Sequence, residues 1–217
     1  MTQLLDLSLF SAVLFDFDGV IADTPKDNHR AWVAALAPYG IPFSELEFFR
    51  NEGAQTIEIA AAQLIKHGQP TDAAKQIAAA KDAYYQTHHS LTFYPQAIET
   101  VQLLRSRGVK TGLITGAKAS RITSTVPESI LRGFDTVVTG DDVTKGKPDP
   151  EPYLLGAKRL NKMPAECLVV ENAPLGVKSA KAAGMICLAL TTTLSAEELG
   201  QADHFLGNIR ELYLKLS

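Results

Sequence analysis

Residues 11–24 read SAVLFDFDGVIADT, and this stretch decides the fold. Residues 11–17 form a short run rich in Val, Leu and Phe, and Asp18-Gly19 ends it. Such a run, closed by a turn signal, predicts a strand buried on both faces with polar residues at its carboxyl end. Similar runs recur as KTGLI (110–114), TVVT (136–139), CLVV (167–170) and ICLAL (186–190). Helical patterns separate them at 96–107, 118–126, 151–160 and 175–183. Pro95 and Pro174 suit first helical turns, and Gly108 and Gly184 suit helix ends. Strands alternating with helices predict an α/β fold. Its core is a Rossmann-like, mostly parallel sheet with helices on both faces.

One interval breaks the alternation. Between Thr24 and Phe93 the patterns are helical, at 27–38, 45–50, 55–67 and 72–89. We expect an all-α cap domain at 24–93, inserted into a core made of 1–23 and 94–217. Its hinges should lie near 22–25 and 91–95.

The bulk numbers set limits. The chain has 217 residues, 46% hydrophobic and 21% charged, with a formal net charge of -3. Nothing basic points to nucleic acid or to a membrane surface. The first residues carry no positive region or cleavage site, and Asp16 arrives too early for a membrane segment. The expected location is the cytoplasm, as a monomer or weak dimer. Cys167 and Cys187 sit in apolar runs and read as buried thiols.

Open parallel sheets bind ligands beyond the carboxyl ends of their strands. The candidates are therefore the polar residues that follow each run. Asp16 and Asp18 follow the first, and Thr115 and Gly116 the second. Lys145 and Lys147 lie in the loop after Thr139, and Glu171 and Asn172 follow the fourth run. Asp16 and Asp18 are two apart, so an extended backbone sends both to one side. One carboxylate can attack phosphorus to give an aspartyl-phosphate. The other can protonate the leaving oxygen and later deprotonate water. Two carboxylates and a phosphate repel one another, so a cation must offset them. Magnesium takes oxygen ligands and keeps several waters. Thr115, the Gly116 N–H and Lys147 would donate to the phosphoryl oxygens. Each piece alone is ordinary: Asp-x-Asp serves turns, Gly-Lys-Pro a solvated loop, Glu171-Asn172 a cap before Pro174. Their order, each after an expected core strand, carries the reading.

Taken together, the motifs resemble the haloacid dehalogenase superfamily of hydrolases. The match is to the subgroup with a helical cap after the first strand, which includes phosphoglycolate phosphatase-like and β-phosphoglucomutase-like proteins. FDFDGVIADT (15–24), LITGA (113–117), KGKPDPEPY (145–153) and VVENAPLGVKSAKAAGM (169–185) match in order. The resemblance implies a magnesium-dependent phosphatase for a small phosphorylated metabolite. Asp16 would be the nucleophile and Asp18 the general acid/base, with Thr115, Gly116 and Lys147 on the phosphate. Magnesium would sit on Asp16, the Asp18 main-chain carbonyl and the fourth motif, through Asn172 or Glu171. Many relatives have Glu-Asp there, so Asn172 removes a charge beside the metal.

Selectivity then falls to the cap, because the core motifs recognise only phosphate and metal. FFRNEGAQT (48–56) is the expected substrate loop, with Arg50, Glu52, Gln55 and Thr56 as candidates. Asn28, His29 and Arg30 join them from the first cap helix. Trp32, Phe48 and Phe49 read as cap core, and His88-His89 as the end of a long helix. In β-phosphoglucomutase-like relatives the cap supplies a histidine, a lysine and an arginine. Those places hold Asn28, Glu52 and Thr56 here, and Ala117 stands where a serine is expected. A glutamate repels a second phosphate. Hydrolysis is therefore expected, with a sugar phosphomutase or a silent binding relative as the alternatives. No GxGxxG follows the first strand and GKP is not GK[ST], which excludes dinucleotide oxidoreductases and P-loop enzymes.

Overall fold

The computed structural model describes residues 7–217. Six strands form one parallel sheet: β1 (Ala12–Phe15), β2 (Lys110–Ile114), β3 (Thr136–Val138), β4 (Cys167–Glu171), β5 (Ile186–Leu190) and β6 (His204–Leu206). Their order is β3-β2-β1-β4-β5-β6. β1 is buried along its whole length, as its unbroken apolar run requires. Phe15 lies opposite Leu113 on one side and Val170 on the other. The chain builds outward through β2 and β3, then returns to the other side of β1. That reversal makes the β1/β4 boundary the switch point where a ligand is expected.

Four helices follow β1: α1 (Pro25–Leu36), α2 (Glu45–Asn51), α3 (Thr56–Lys66) and α4 (Ala74–His88). The rest alternate with strands: α5 (Ala97–Ser106), α6 (Ala119–Thr125), α7 (Glu128–Leu131), α8 (Glu151–Arg159), α9 (Pro174–Ala182) and α10 (Ile209–Leu216). One face of the sheet packs Val13 and Phe15 with Val101, Leu104 and Leu212 of α5 and α10. The other packs Ala12 and Leu14 with Tyr153, Ala157, Val177 and Ala180 of α8 and α9. That second core runs on into the helical segment through Trp32, Leu36, Phe48 and Ile77. Burial of each large apolar side chain contributes about 1.5–3 kcal/mol.

The segment 24–93 joins the sheet through two paired linkers. The Asp23 N–H donates to Thr92 O at 2.8 Å and the Tyr94 N–H to Ile21 O at 3.0 Å. Ala22 and Phe93 form an antiparallel bridge between them. Pro174 opens α9, and Gly108 and Gly184 take positive φ just past α5 and α9. Pro95 differs from expectation. It lies ahead of Gln96, the left-handed N-cap, and α5 starts at Ala97. β6 and α10 were not expected. No described helix is long and apolar enough to cross a membrane.

Candidate active site

Asp16 stands just past β1, with its N–H still bonded to Val170 O at 3.0 Å. Its Oδ1 accepts from Lys147 Nζ at 2.6 Å. The same ammonium donates to Glu171 Oε1 at 2.7 Å and to Ile114 O at 3.3 Å. Glu171 ends β4 with both oxygens engaged. Tyr153 donates to Oε1 at 2.7 Å, and the N–H groups of Asn172 and Ala173 to Oε2 at 2.8 and 3.1 Å. One buried ammonium thus faces two buried carboxylates. Burial pushes the Asp16 carboxyl up, Lys147 pulls it back, and Glu171 and Asp18 raise it further, to about 7. Burial alone would lower Lys147, but Asp16 and Glu171 carry it above the usual lysine range. Lys147 therefore stays charged and is shared between the two carboxylates.

Thr115 and Gly116 follow β2. The Thr115 N–H is held by Val138 O at 2.9 Å, and Thr115 Oγ1 accepts from the Ala117 N–H at 3.1 Å. The turn after α2 lies directly over Gly116. A Cβ at Gly116 would come within 2.6 Å of Gly53 O. Only glycine lets the helical segment approach this closely.

Asp18 is saturated. Arg121 Nη1 donates to Oδ2 at 3.0 Å and Nη2 to Oδ1 at 2.5 Å. Asn28 Nδ2 donates to Oδ1 at 3.0 Å, and so does the Thr24 hydroxyl. Burial would raise Asp18, but the Arg121 charge and its hydrogen bonds, with Thr24, carry it below the ordinary carboxylate range. Arg121 lies over the Tyr85 ring at 4.3 Å. Lys81 on α4 donates to Asn28 Oδ1 at 2.8 Å. Burial and the nearby Arg121 charge lower its pKa to about 8.

Asn172 Nδ2 donates to Glu52 Oε2 at 3.0 Å and to Thr193 Oγ1 at 3.2 Å. Asn172 Oδ1 and Glu52 Oε1 are buried without a partner. Burial, then the charges of Asp18 and Asp16, holds the Glu52 carboxyl well above its usual range. Asp16, Asp18, Asn28, Glu52, Thr115 and Arg121 border a cavity of about 40 Å³. One water needs roughly 10–15 Å³ of such space, so the cavity takes a few waters, and a phosphate ester calls for the helical segment to move.

Sequence reasoning brought Asp16, Asp18, Thr115, Gly116 and Lys147 to one place, with Asn28, Glu52 and Thr56 on the cavity wall. Glu171 differs: its oxygens hold Lys147, Tyr153 and two amides, which leaves none for a metal. Arg50 is away from the cavity, paired with Glu198 at 2.9 Å. Arg30 pairs with Asp27, and Lys145 faces solvent 3.8 Å from Asp149. His29 bonds Phe43 O at 2.8 Å, among the cap aromatics. Gln55 borders a neighbouring cavity of about 340 Å³ with Lys75 and Lys118. Trp32 and Phe48 are buried and also line the small cavity. Lys81, Tyr153 and Arg121 were missed. Ala74, Ile77, Ala78, Lys81 and Tyr85 share a buried helical face, a period that was available for Lys81. Arg121 carries no such signal.

The whole chain can be compared with known proteins. The family described as Haloacid dehalogenase-like hydrolase matches residues 13–190. The Validoxylamine A 7'-phosphate phosphatase of Streptomyces hygroscopicus subsp. limoneus is 31% identical, over 94% of this chain and 96% of its own. The Phosphoglycolate phosphatase of Pseudomonas putida is 33% identical, over 87% and 72%. A solved structure described as a putative beta-phosphoglucomutase from Bacteroides vulgatus superposes with a TM-score of 0.84 at 29% identity, covering 95% and 88%. The family match over residues 13–190, relatives more than 30% identical over most of both chains and a shared fold lead to one conclusion: the chain belongs to the haloacid dehalogenase-like hydrolases.

Proposed function

We propose that the protein hydrolyses a small phosphate monoester with magnesium, through a phosphorylated Asp16. The observation that carries this reading is Asp16 itself, buried at the switch point and held by Lys147 beside Thr115 and Gly116. Asp16 attacks phosphorus and the ester oxygen leaves with a proton from Asp18. Water, deprotonated by Asp18, then attacks the phosphorus of the aspartyl-phosphate and frees Asp16. Lys147, Thr115 Oγ1 and the Gly116 N–H hold the phosphoryl oxygens. Arg121, Thr24 and Asn28 hold Asp18 ionised in the arrangement described, so Asp18 must loosen from them to carry a proton.

The donor set fits magnesium. Among the described residues no group of three or more His, Cys, Asp or Glu side chains surrounds a cation position. The expected ligands are one carboxylate (Asp16), one main-chain carbonyl (Asp18) and one amide (Asn172), which suits an ion that keeps its waters. Unpartnered buried oxygens cost about 1–3 kcal/mol each. Asn172 Oδ1 and Glu52 Oε1 are two of them, and a cation would satisfy both. Glu52, held toward its neutral form by burial and by Asp18 and Asp16, would ionise beside the cation and return the charge that Asn172 lacks. When bound, magnesium offsets the charge of the phosphoryl group and polarises it.

The test is phosphate release from an aryl phosphate with and without magnesium. Turnover should stop with chelator and fall at least about 10³-fold in Asp16→Asn. Glu52→Gln should weaken magnesium binding, read by calorimetry, by about 10-fold or more. Near-normal turnover in Asp16→Asn would refute the mechanism. Unchanged magnesium affinity in Glu52→Gln would remove Glu52 from the metal site.

A further inference from the structure

We propose that Arg121, seconded by Lys81, binds a second anionic group on the substrate, which takes the guanidinium over from Asp18. The inference rests on the reading of Asp16 as a phosphoryl-transfer centre and adds a specificity-determining site to it. The cavity is bordered by Asp16, which Lys147 holds from behind at 2.6 Å. Two further cations line the cavity itself. They are Arg121 of α6 and Lys81 of α4.

Arg121 is buried and fixed. Its plane lies against Tyr85 at 4.3 Å, so it does not follow Asp18 freely. Nη1 and Nη2 are taken by Asp18, while Nε is buried without a partner. Lys81 gives one bond to Asn28 and reaches Asp82 only at 3.7 Å. An ammonium has three donors, so capacity remains. Lys81 also lies over the Tyr85 ring at 5.2 Å, so both cations border the cavity with N–H groups that no oxygen has taken.

The state of Asp18 supplies the reason for an anion. Its carboxylate accepts from Arg121, Thr24 and Asn28 together. To reach the ester oxygen it must give up part of this set. A buried guanidinium left without a counter-charge is strongly disfavoured. A substrate that brings its own carboxylate or phosphate replaces Asp18 on Arg121, and the released Asp18 carries the proton it gives to the ester oxygen, so neither group is left as an unpaired buried charge. A neutral ester cannot. Arginine's planar fork matches either anion through two parallel bonds.

The experiment compares kcat/KM for esters on one carbon skeleton: a phosphorylated hydroxy acid, the matching phosphorylated neutral alcohol and the matching bisphosphate. Wild type should favour an anionic ester over the neutral one by about 10²-fold or more. The carboxylate and bisphosphate arms show which anion is taken. In Arg121→Gln that ratio should collapse toward one, and Arg121→Lys should keep part of it. A purely structural role lowers all esters alike and leaves the ratio unmoved, and that result overturns the proposal. Equal rates on all three in wild type also overturn it. If no ester is turned over, the phosphatase reading fails. Calorimetric binding of the same esters to wild type and to Lys81→Met then decides the inference, with a preference for the anionic ester expected only in wild type.

Discussion

Lys147 is one cation between two buried carboxylates, and this sets how the site responds to pH. In the folded, metal-free protein Asp16 titrates near 7, against an ordinary value of 3.8. The folded state therefore binds this proton more tightly than the unfolded state. The resulting stability is full below about pH 4 and is lost as pH rises to about 7. The amount is on the order of a few kcal/mol. Asp18 works in the opposite sense, but its lowered pKa confines that effect to pH below about 4. Denaturant unfolding of metal-free protein between pH 4 and 8 should show a falling stability that Asp16→Asn flattens. An equal slope in both forms would contradict the assignment. At this scale the motif residues were legible, because Asp16 and Thr115 sit just past core strands, Glu171 ends one and Lys147 lies in the loop after β3. Arg50 and Glu52 were not separable. α2 ends at Asn51 and Glu52 is extended, so neither the helical nor the strand spacing carries across the break. Arg50 goes out to Glu198 and Glu52 goes in to Asn172.

At the scale of elements, the account depends on movement of α1–α4 about the paired linkers. The 40 Å³ cavity, the Gly53 carbonyl over Gly116 and the Arg50–Glu198 ion pair all describe the segment drawn down on the sheet. Gly116→Ala puts a methyl group into the Gly53 carbonyl. It should hold the segment off the sheet and lower kcat/KM by about 10²-fold. Hydrogen exchange near 22–25 and 91–95 should slow when beryllium trifluoride and magnesium bind wild type, and much less in the variant. Equal protection in both would show that this contact does not govern closure. The first five strands were readable because strands buried on both faces are continuous apolar runs. β6 is three half-exposed residues, His204–Leu206, and gives no such run. α10 does carry a period, Ile209, Leu212 and Leu216 buried behind the Asn208 cap, but its short length hides it. Pro95 misled because an X-Pro step near a helix start also suits the residues before the N-cap.

For the whole molecule, the choice lies between hydrolysis and phosphate migration within a sugar. Glu52 on the cavity wall opposes a second phosphate there, while Arg121 and Lys81 offer a place for one at the other end. Incubation with β-glucose 1-phosphate, magnesium and a catalytic amount of the bisphosphate should yield free phosphate and little glucose 6-phosphate. Both reactions pass through the same covalent step, and the core claim is that this step occurs on Asp16. Acid quench within the first turnovers, followed by hydroxylamine trapping and peptide mass analysis, reads it directly. A hydroxamate at Asp16 should rise in the burst and be absent from Asp16→Asn. Turnover with no modification at Asp16, or with the adduct on another carboxylate, would contradict it.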